Sequence, residues 1–346
     1  MNSSSSHNTS LLDPDRPDAV RMTAQEGHKL GMSALSRIEF SENDAKIIVD
    51  QLIDNALCGY RFASLPRILA IAKDPKTKEF RRPVSTVQQT PISALIDGGN
   101  NVGYISCHHA AQKAIEIAQV SGFASVGVYD SYYSGRNAYF AEMVAKSGLI
   151  CIHTASAKPR VLPIGGIKPA LGTNPICFGF PTSKDPIIID LGTSSLMWGD
   201  VLLHEHLGLE IPAGIGFDGL GNPTRDARKV QDGGVVPFGD HKGYGLSIAV
   251  QILGLLAGAA IPRQQVQDYG FLFMVLKPSI MLPKGNFESQ AHQLIQAIKE
   301  TPKRQGVSDI RIPSERAFKE RERRLKEGLL FDTKVVQSLS TLELAW

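Results

Sequence analysis

Between Val235 and Leu246 the chain reads VVPFGDHKGYGL: a Pro and a Gly, then the adjacent imidazole and ammonium side chains of His241 and Lys242, then two more glycines. Glycines this dense let a backbone approach a bulky ligand closely, and a Lys set among them is a natural anchor for a phosphate or a carboxylate. A loop joining a strand to a helix would also be glycine-rich, so the segment gains its weight from company. Three other stretches follow the same logic: VLPIGGIKPALGTNPICFGFP (161–181), PIIIDLGTSS (186–195) and RIPSER (311–316). In the second, Asp190 ends an apolar run and is followed by Gly192, Thr193, Ser194 and Ser195. A carboxylate beside small hydroxyls can hold a ribose, orient a catalytic side chain, or cap the next helix.

The elements that must position these residues follow from periodicity. From Thr23 to about Ala72 apolar residues recur at three and four residue spacings, as in Ala45, Ile48, Val49, Leu52 and Ile53, which predicts a helical opening. Ile92 to Ile96 and Gly103 to Ile105 read as short strands, and Cys107 to Ser121 as a helix ended by Gly122. Further strands are expected at Ala124 to Val128, Leu149 to His153 and Pro186 to Asp190, the last apolar enough for a strand covered on both faces. Helices are expected at Asn137 to Lys146, Lys242 to Ala257 (buried against the sheet), Gln290 to Thr301, and Pro313 to Gly328 with Pro313 in the first turn. Helices at both ends around a strand-rich centre predict that the termini pack together with the sheet inserted between them.

Composition bounds the function. At 346 residues, 42% hydrophobic and 21% charged, the chain has the balance of a soluble globular protein, and a net charge of +3 with scattered basic residues argues against nucleic acid. The densest basic run, KERERRLKEG (319–328), alternates with acids and reads as a solvated helix face. Cys58, Cys107, Cys151 and Cys177 show no CxxC spacing, which points to a reducing compartment and a cytoplasmic protein. His108-His109 and His204-Glu205-His206 look like metal ligands, but adjacent helical residues point about 100° apart and no further ligands lie at helpful spacing, so no metal is expected. The Ser- and Asp-rich residues 1–21 read as a disordered tail, and no run reaches the length of a membrane span.

The four glycine-rich or hydroxyl-rich segments, in this order, resemble the malate/L-lactate dehydrogenase family of NAD(P)-dependent oxidoreductases. That family also holds ureidoglycolate dehydrogenase, 2,3-diketogulonate reductase and the reductases of piperideine and pyrroline carboxylates, and is unrelated to the Rossmann-type lactate dehydrogenases. The resemblance runs from about Met22 to about Gly328, with GTNP and HKGYGL its most specific strings. It implies an α/β fold of the L-sulfolactate/malate dehydrogenase type, with a helical domain from residues 22–76 and 286–346 and a sheet-containing cofactor and substrate domain from 77–285. It also implies a homodimer with its cofactor cleft near the subunit interface. NAD or NADP would lie against Asp190, Gly192, Thr193, Ser194, His241, Lys242 and the triplet Pro313, Ser314 and Glu315, where the family has Pro-Gly-Glu. No GxGxxG follows a strand, as the resemblance requires.

The departures from the family concern its acid. The family carries a Ser-His-Gly triplet after its first long helix, its His protonating the substrate oxygen, and an Arg four residues on holding the substrate carboxylate. Here Gly59 is followed only by YRFAS before Leu65-Pro66-Arg67, and under either matching no His falls in that loop. A second family His is replaced by Tyr133 in SYYSGRN (131–137). An imidazole with a pKa of about 6.5 is a good donor at neutral pH, whereas a phenol near 10 needs a neighbouring cation, for which Arg61, Arg136 and Lys242 are candidates. An imine substrate avoids the difficulty, because it can arrive already protonated. The expected activity is therefore hydride transfer between a nicotinamide and the C=O or C=N carbon of a small, carboxylated substrate. Tyr60 or Tyr133 would handle the proton, Asp190 would orient the site, and Arg61 or Arg67 would pair with the carboxylate. The alternatives are a standard 2-hydroxy-acid dehydrogenase and a non-catalytic dinucleotide-binding descendant.

Overall fold

The computed structural model describes residues 19–261 and 269–342. They form two compact units, one built from the chain's two ends, up to Asp74 and from Arg316 onward, the other from Pro75–Glu315. The first unit opens with β1 (Ala19–Met22), α1 (Ala24–Arg37), α2 (Glu42–Leu57) and α3 (Arg67–Lys73). A reciprocal cap starts α1: the Thr23 hydroxyl accepts the Glu26 N–H at 3.1 Å while the Glu26 carboxylate accepts the Thr23 N–H at 2.7 Å. The stripe of Ala45, Ile48, Val49, Leu52 and Ile53 is buried as its spacing predicts. Gly31 lets α1 come close to α2, since a Cβ there would stand 2.9 Å from Val49. Most of the expected tail, 1–18, lies outside the described residues, but Ala19 to Arg21 belong to a strand.

The second unit runs α4 (Pro75–Lys78), β2 (Ser85–Thr90), β3 (Ser93–Val102), α5 (Gly103–Ser121), β4 (Phe123–Tyr132), α6 (Asn137–Lys146), β5 (Ile150–Ala155), β6 (Ile176–Phe180) and β7 (Ile187–Leu191). It continues with α7 (Trp198–His206), β8 (Gly216–Phe217), α8 (Ala227–Asp232), β9 (Gly234–Val235), α9 (His241–Leu256), β10 (Phe271–Leu276) and α10 (Asn286–Glu300). The chain then returns to the first unit through α11 (Glu315–Glu327), β11 (Leu329–Asp332), which pairs antiparallel with β1, and α12 (Thr333–Ser340). Among the described residues, seven strands form one sheet in the order β2-β3-β4-β10-β5-β6-β7, with β3 and β4 parallel and every other pair antiparallel. No described helix is long and apolar enough to cross a membrane.

Several expectations are corrected. Gly103 to Ile105 begin α5 rather than a strand, because β3 runs on to Val102 and the buried Tyr104 and Ile105 fit either period in so short a stretch. The apolar 186–190 run is not a strand covered on both faces: β7 is the sheet's edge and ends in the exposed residues Asp190 and Leu191. Pro313 lies in a turn two residues before α11 instead of in its first turn. Residues 286–315 group with the sheet unit, where the resemblance had set them with the terminal helices. Beside the main sheet a smaller apolar cluster gathers Val161, Leu171, Val201, Ile211, Val230 and Val235 under the glycine-rich loop.

Two local features make the fold sensitive to conditions. His153 on β5 is wholly buried, stacked on Phe273 of β10 at 3.9 Å between ring centroids and 9° between planes. Its Nδ1 lies 3.1 Å from the Leu272 carbonyl oxygen, so Nδ1 carries the proton and donates it, while Nε2 has no hydrogen-bond partner. Burial pushes this imidazole down from 6.5 to about 4. A histidine kept neutral in the folded state costs nothing above its unfolded pKa, and destabilises as pH falls from there toward the folded pKa. Between pH 7 and 4.5 the wild type should therefore lose about 2 kcal/mol more stability than His153→Phe. Urea unfolding at both pH values measures the difference, and equal losses would show that His153 titrates normally.

Ser314 adopts left-handed backbone, φ 68°, and its hydroxyl donates to the Ile188 carbonyl at 2.8 Å. Left-handed backbone costs an L residue about 1–2 kcal/mol and a net hydrogen bond returns about 1 kcal/mol. Ser314→Ala keeps the strain and loses the bond, so it should destabilise by about 1 kcal/mol. Ser314→Gly sheds both, and should be the more stable of the two in denaturant unfolding. The reverse order would show that this backbone is unstrained.

Candidate active site

The four segments singled out in the sequence meet in the sheet unit through hydrogen bonds. The Thr193 N–H and hydroxyl both donate to the Thr173 carbonyl, at 2.9 and 3.0 Å. Ser194 and Pro237 form an antiparallel bridge, with Ser195 N–H on the Val236 carbonyl at 2.9 Å and Phe238 N–H on the Thr193 carbonyl at 3.0 Å. Ser314 adds the last segment through Ile188. Asn174 of the GTNP string, fully buried at φ 33°, donates to the Ser247 carbonyl (3.0 Å) and Gln251 Oε1 (3.0 Å) on α9, and its Oδ1 accepts the Ala157 N–H at 3.1 Å.

The glycines in the 239–245 loop divide by role. Gly243 has to be glycine for the loop to close, since a Cβ would stand 2.3 Å from the Phe238 carbonyl oxygen. Gly245 faces open space and Gly239, at φ 54°, meets only the Lys242 side chain at 3.9 Å. Between them Asp240 holds φ 51° and ψ −116°, a conformation costly for anything but glycine, just before α9 begins. His241 and Lys242 are exposed at that helix start, and among the described residues the Lys242 ammonium makes no hydrogen bond or ion pair. A helix N-terminus, a free ammonium and an open glycine backbone together fit the phosphates of a dinucleotide. Other expected contacts are committed to the protein. Thr193 is buried with its hydroxyl on Thr173, a Cβ at Gly192 would stand 2.3 Å from Met197 Sδ, and the Glu315 carboxylate is held by Lys299 at 2.7 and 2.8 Å. Ser194 is buried as well, its hydroxyl donating to Met197 Sδ at 3.8 Å, so these side chains shape the site and leave backbone groups to face a ligand.

Asp190 acts on a different helix from the one its sequence position suggests. The following helix, α7, has Met197 at its cap with no side-chain bond, whereas Asp190 Oδ2 accepts the Ala138 N–H at 2.9 Å in the first turn of α6. Arg136 precedes that turn and supplies a cation. Desolvation by the surrounding protein raises the carboxyl above its usual range, opposed by the Ala138 N–H and by Arg136, while one side of the residue still meets solvent. Nearby, Tyr133 is half-buried at φ 25°, its ring 5.8 Å from that of Tyr104. Tyr132 is set apart from this group, its hydroxyl bound to Thr77 Oγ1 at 2.9 Å. Sequence reading missed Tyr104, whose hydroxyl packs where a Gly135 Cβ would come within 2.7 Å, and Asn137, buried with Nδ2 unpartnered. The glycine in YYSGRN was the available signal for the first. Among the described residues no group of three His, Cys, Asp or Glu could hold a metal.

In the first unit, Tyr60 and Arg61 follow the left-handed Gly59 (φ 88°) at the end of α2. Two arginines of α11 grip this corner: Arg324 donates to the Ala56 carbonyl at 3.1 Å and Arg316 to the Cys58 carbonyl at 3.3 Å, cations on a helix C-terminus. Arg316 also lies over the Tyr60 ring at 5.1 Å, so the cation beside this phenol is one that sequence reading did not name. Burial, then the like charge of Arg324, pushes Arg61 down from its ordinary value, while Glu320 opposes. Arg67 begins α3 and stacks over Phe62 at 4.8 Å.

Comparison with known proteins places this geometry. The malate/L-lactate dehydrogenase family profile matches residues 22–340. The L-sulfolactate dehydrogenase of Methanothermobacter thermautotrophicus is 30% identical over 92% of this chain and 95% of its own. The Delta(1)-pyrroline-2-carboxylate/Delta(1)-piperideine-2-carboxylate reductase of Pseudomonas aeruginosa is 29% identical over 90% and 95%. The structure of malate dehydrogenase from Pyrococcus horikoshii superposes with a TM-score of 0.84 at 28% identity, covering 94% of this chain and 95% of that one. By sequence and by fold, the chain belongs to the malate/L-lactate dehydrogenase family and is an oxidoreductase of its non-Rossmann α/β type.

Proposed function

We propose that the protein moves a hydride between NAD or NADP and the C=N or C=O carbon of a small carboxylated substrate, a cyclic imino acid or an unusual ketone. What supports this reading is the hydrogen-bonded junction of segments 161–181, 186–195, 235–246 and 311–316 in the sheet unit, together with the tyrosines Tyr60 and Tyr133 at positions where the resemblance implies imidazoles. When bound, the nicotinamide supplies or takes the hydride. Lys242 and the α9 N-terminus hold the phosphates, with His241 and the backbone of Gly192, Thr193, Ser194 and Pro313 to Glu315 against the rest of the dinucleotide. Asp190 fixes the start of α6 and so the turn carrying Tyr133. Arg61 or Arg67 pairs with the substrate carboxylate. A preprotonated iminium needs no acid from the protein, which suits phenols better than a 2-oxo acid would.

A second reading, a 2-hydroxy-acid dehydrogenase, gains from one feature. A carboxyl raised above its usual range, as at Asp190, is a better proton donor to an alkoxide than an ordinary aspartate. The four buried free thiols fit a cytoplasmic protein, and the resemblance supports a homodimer.

Lys242→Ala should weaken binding of the preferred nucleotide about tenfold or more, the effect of losing a charge-assisted contact of about 1.5–3 kcal/mol. Fluorescence titration with NADH and NADPH checks this, and unchanged affinity would remove Lys242 from the site. Pyruvate and oxaloacetate should be reduced with kcat/KM below roughly 10⁴ M⁻¹s⁻¹, and cyclic imino acids faster. On the imine, Tyr60→Phe and Tyr133→Phe should each keep turnover within a few-fold. A loss of ~10²–10⁴ with nucleotide affinity intact would instead identify that tyrosine as the acid and favour the second reading.

A further inference from the structure

The arginines considered so far for the substrate's charge, Arg61 and Arg67, belong to the terminal unit, whereas the joined glycine-rich and hydroxyl-rich segments belong to the sheet unit. That unit has a further candidate in Arg160. One edge of its sheet gathers the site: the Tyr269 N–H donates to the Ser131 carbonyl at 3.2 Å, the Ser156 N–H donates to the Gly270 carbonyl at 2.9 Å, and Ile176 pairs with Leu191 beside Asp190. Tyr133, Arg160 and Asp190 all lie within a few residues of that edge, following Ser131, following Ser156 and preceding Leu191. The Arg160 backbone is fixed there. Its N–H donates to the Leu171 carbonyl at 2.8 Å and its carbonyl accepts the Val235 N–H at 3.1 Å, so it is tied to both the 161–181 and the 235–246 segments.

The Arg160 side chain lies over Trp198, its guanidinium carbon 4.0 Å from the ring centroid, and Trp198 is itself packed against the small apolar cluster of Val161, Val201 and Val235. Burial pushes the guanidinium below its ordinary value, opposed by the Tyr269 phenol. A ring face offsets part of the water that a guanidinium loses, but it leaves five N–H donors to be satisfied in other directions. Among the described residues the Arg160 guanidinium makes no hydrogen bond or ion pair. From Met143 to Lys184 the chain has no Asp or Glu to offer it. We propose that Arg160, backed by Trp198, takes the substrate's carboxylate through two parallel N–H bonds to its two oxygens. The phosphates of the dinucleotide have Lys242 and the α9 N-terminus, and a planar fork matches a planar carboxylate. The proposal rests on the oxidoreductase reading above, holds whether or not the terminal unit supplies an arginine as well, and makes Arg160 the residue that selects acids over uncharged imines and ketones.

The chain has two tryptophans, so in a Trp346→Phe background the emission reports Trp198. Oxalate, a small planar dicarboxylate, should change that emission saturably in at least one of three states: with NAD, with NADP or without nucleotide. Oxamide, uncharged and of the same shape, should not. Adding Arg160→Met should weaken oxalate about tenfold or more, as expected for a lost charge-assisted pair, and leave the affinities for NADH and NADPH unchanged. Should that variant fail to fold, Arg160→Lys, which keeps the charge and loses the fork, should weaken oxalate about threefold or more. Oxalate affinity that survives these substitutions, a missing response in all three states, or an equal response to oxamide overturns the proposal. A loss confined to nucleotide affinity also overturns it, by putting Arg160 on a phosphate. No arm needs turnover, so a protein that binds oxalate through Arg160 yet reduces no imino acid or ketone would count against the proposed function and leave this anion site standing.

Discussion

The side-chain amide of Asn174 is the junction on which the sheet unit's site depends. It is fully buried and bonds simultaneously to the 157 backbone and to two residues of α9. A buried amide so fully used cannot be replaced by an apolar group without leaving donors and acceptors stranded, each at about 1–3 kcal/mol. It therefore sets the angle at which α9 leaves the sheet, and with it the position of the loop at Gly239 and Asp240. The Thr193–Thr173 and Ser195–Val236 bonds then have only to hold β7's extension against a loop already in place.

Backbone strain has collected around the same junction. Among the described non-glycine residues with positive φ, Tyr133, Asn174, Asp240 and Ser314 all stand in segments that the sequence singles out for chemistry. Conformations of this kind persist only where their surroundings over-determine them, and three of the four show such a surrounding. Ser314 is pinned by Ile188, Asn174 by its own amide, and Asp240 by the Tyr244 N–H on its carbonyl at 3.1 Å, a first-turn bond of α9. The rigidity they share suits a site whose task is to hold two reactants at a fixed distance.

What could be read in advance was local. The buried stripe of α2, the glycine-rich loop and Asp190 at a strand end are each encoded within a dozen residues, and the fold delivers them as spaced. What could not be read was pairing over distance. The apolar run ending at Asp190 has the composition of a central strand, and nothing within it says that β6 pairs with it on one side while no described strand pairs with it on the other. The partner of Tyr60 sits on α11, at the other end of the chain, and one Arg among many carries no mark of its target. Ribose holder, orienting carboxylate and cap of the next helix were all open to Asp190 from its neighbours, and the helix whose first turn it bonds precedes it in sequence. Thr193 offered a hydroxyl on paper that the folded chain spends on a carbonyl.

Strand β10 is the last strand of the large sheet to be synthesised and yet stands at its centre, bonded to β4 on one side and β5 on the other. Until Leu276 has left the ribosome, β2-β3-β4 and β5-β6-β7 are separate half-sheets, each with an open edge of unpaired backbone. The nascent chain must keep those edges apart for the time it takes to make the α9 region, and closure is a single late event with a large loop penalty behind it. A chain released before that point would present two adhesive edges and no core between them, which makes the interval before β10 emerges the period in which this protein most needs chaperone shelter.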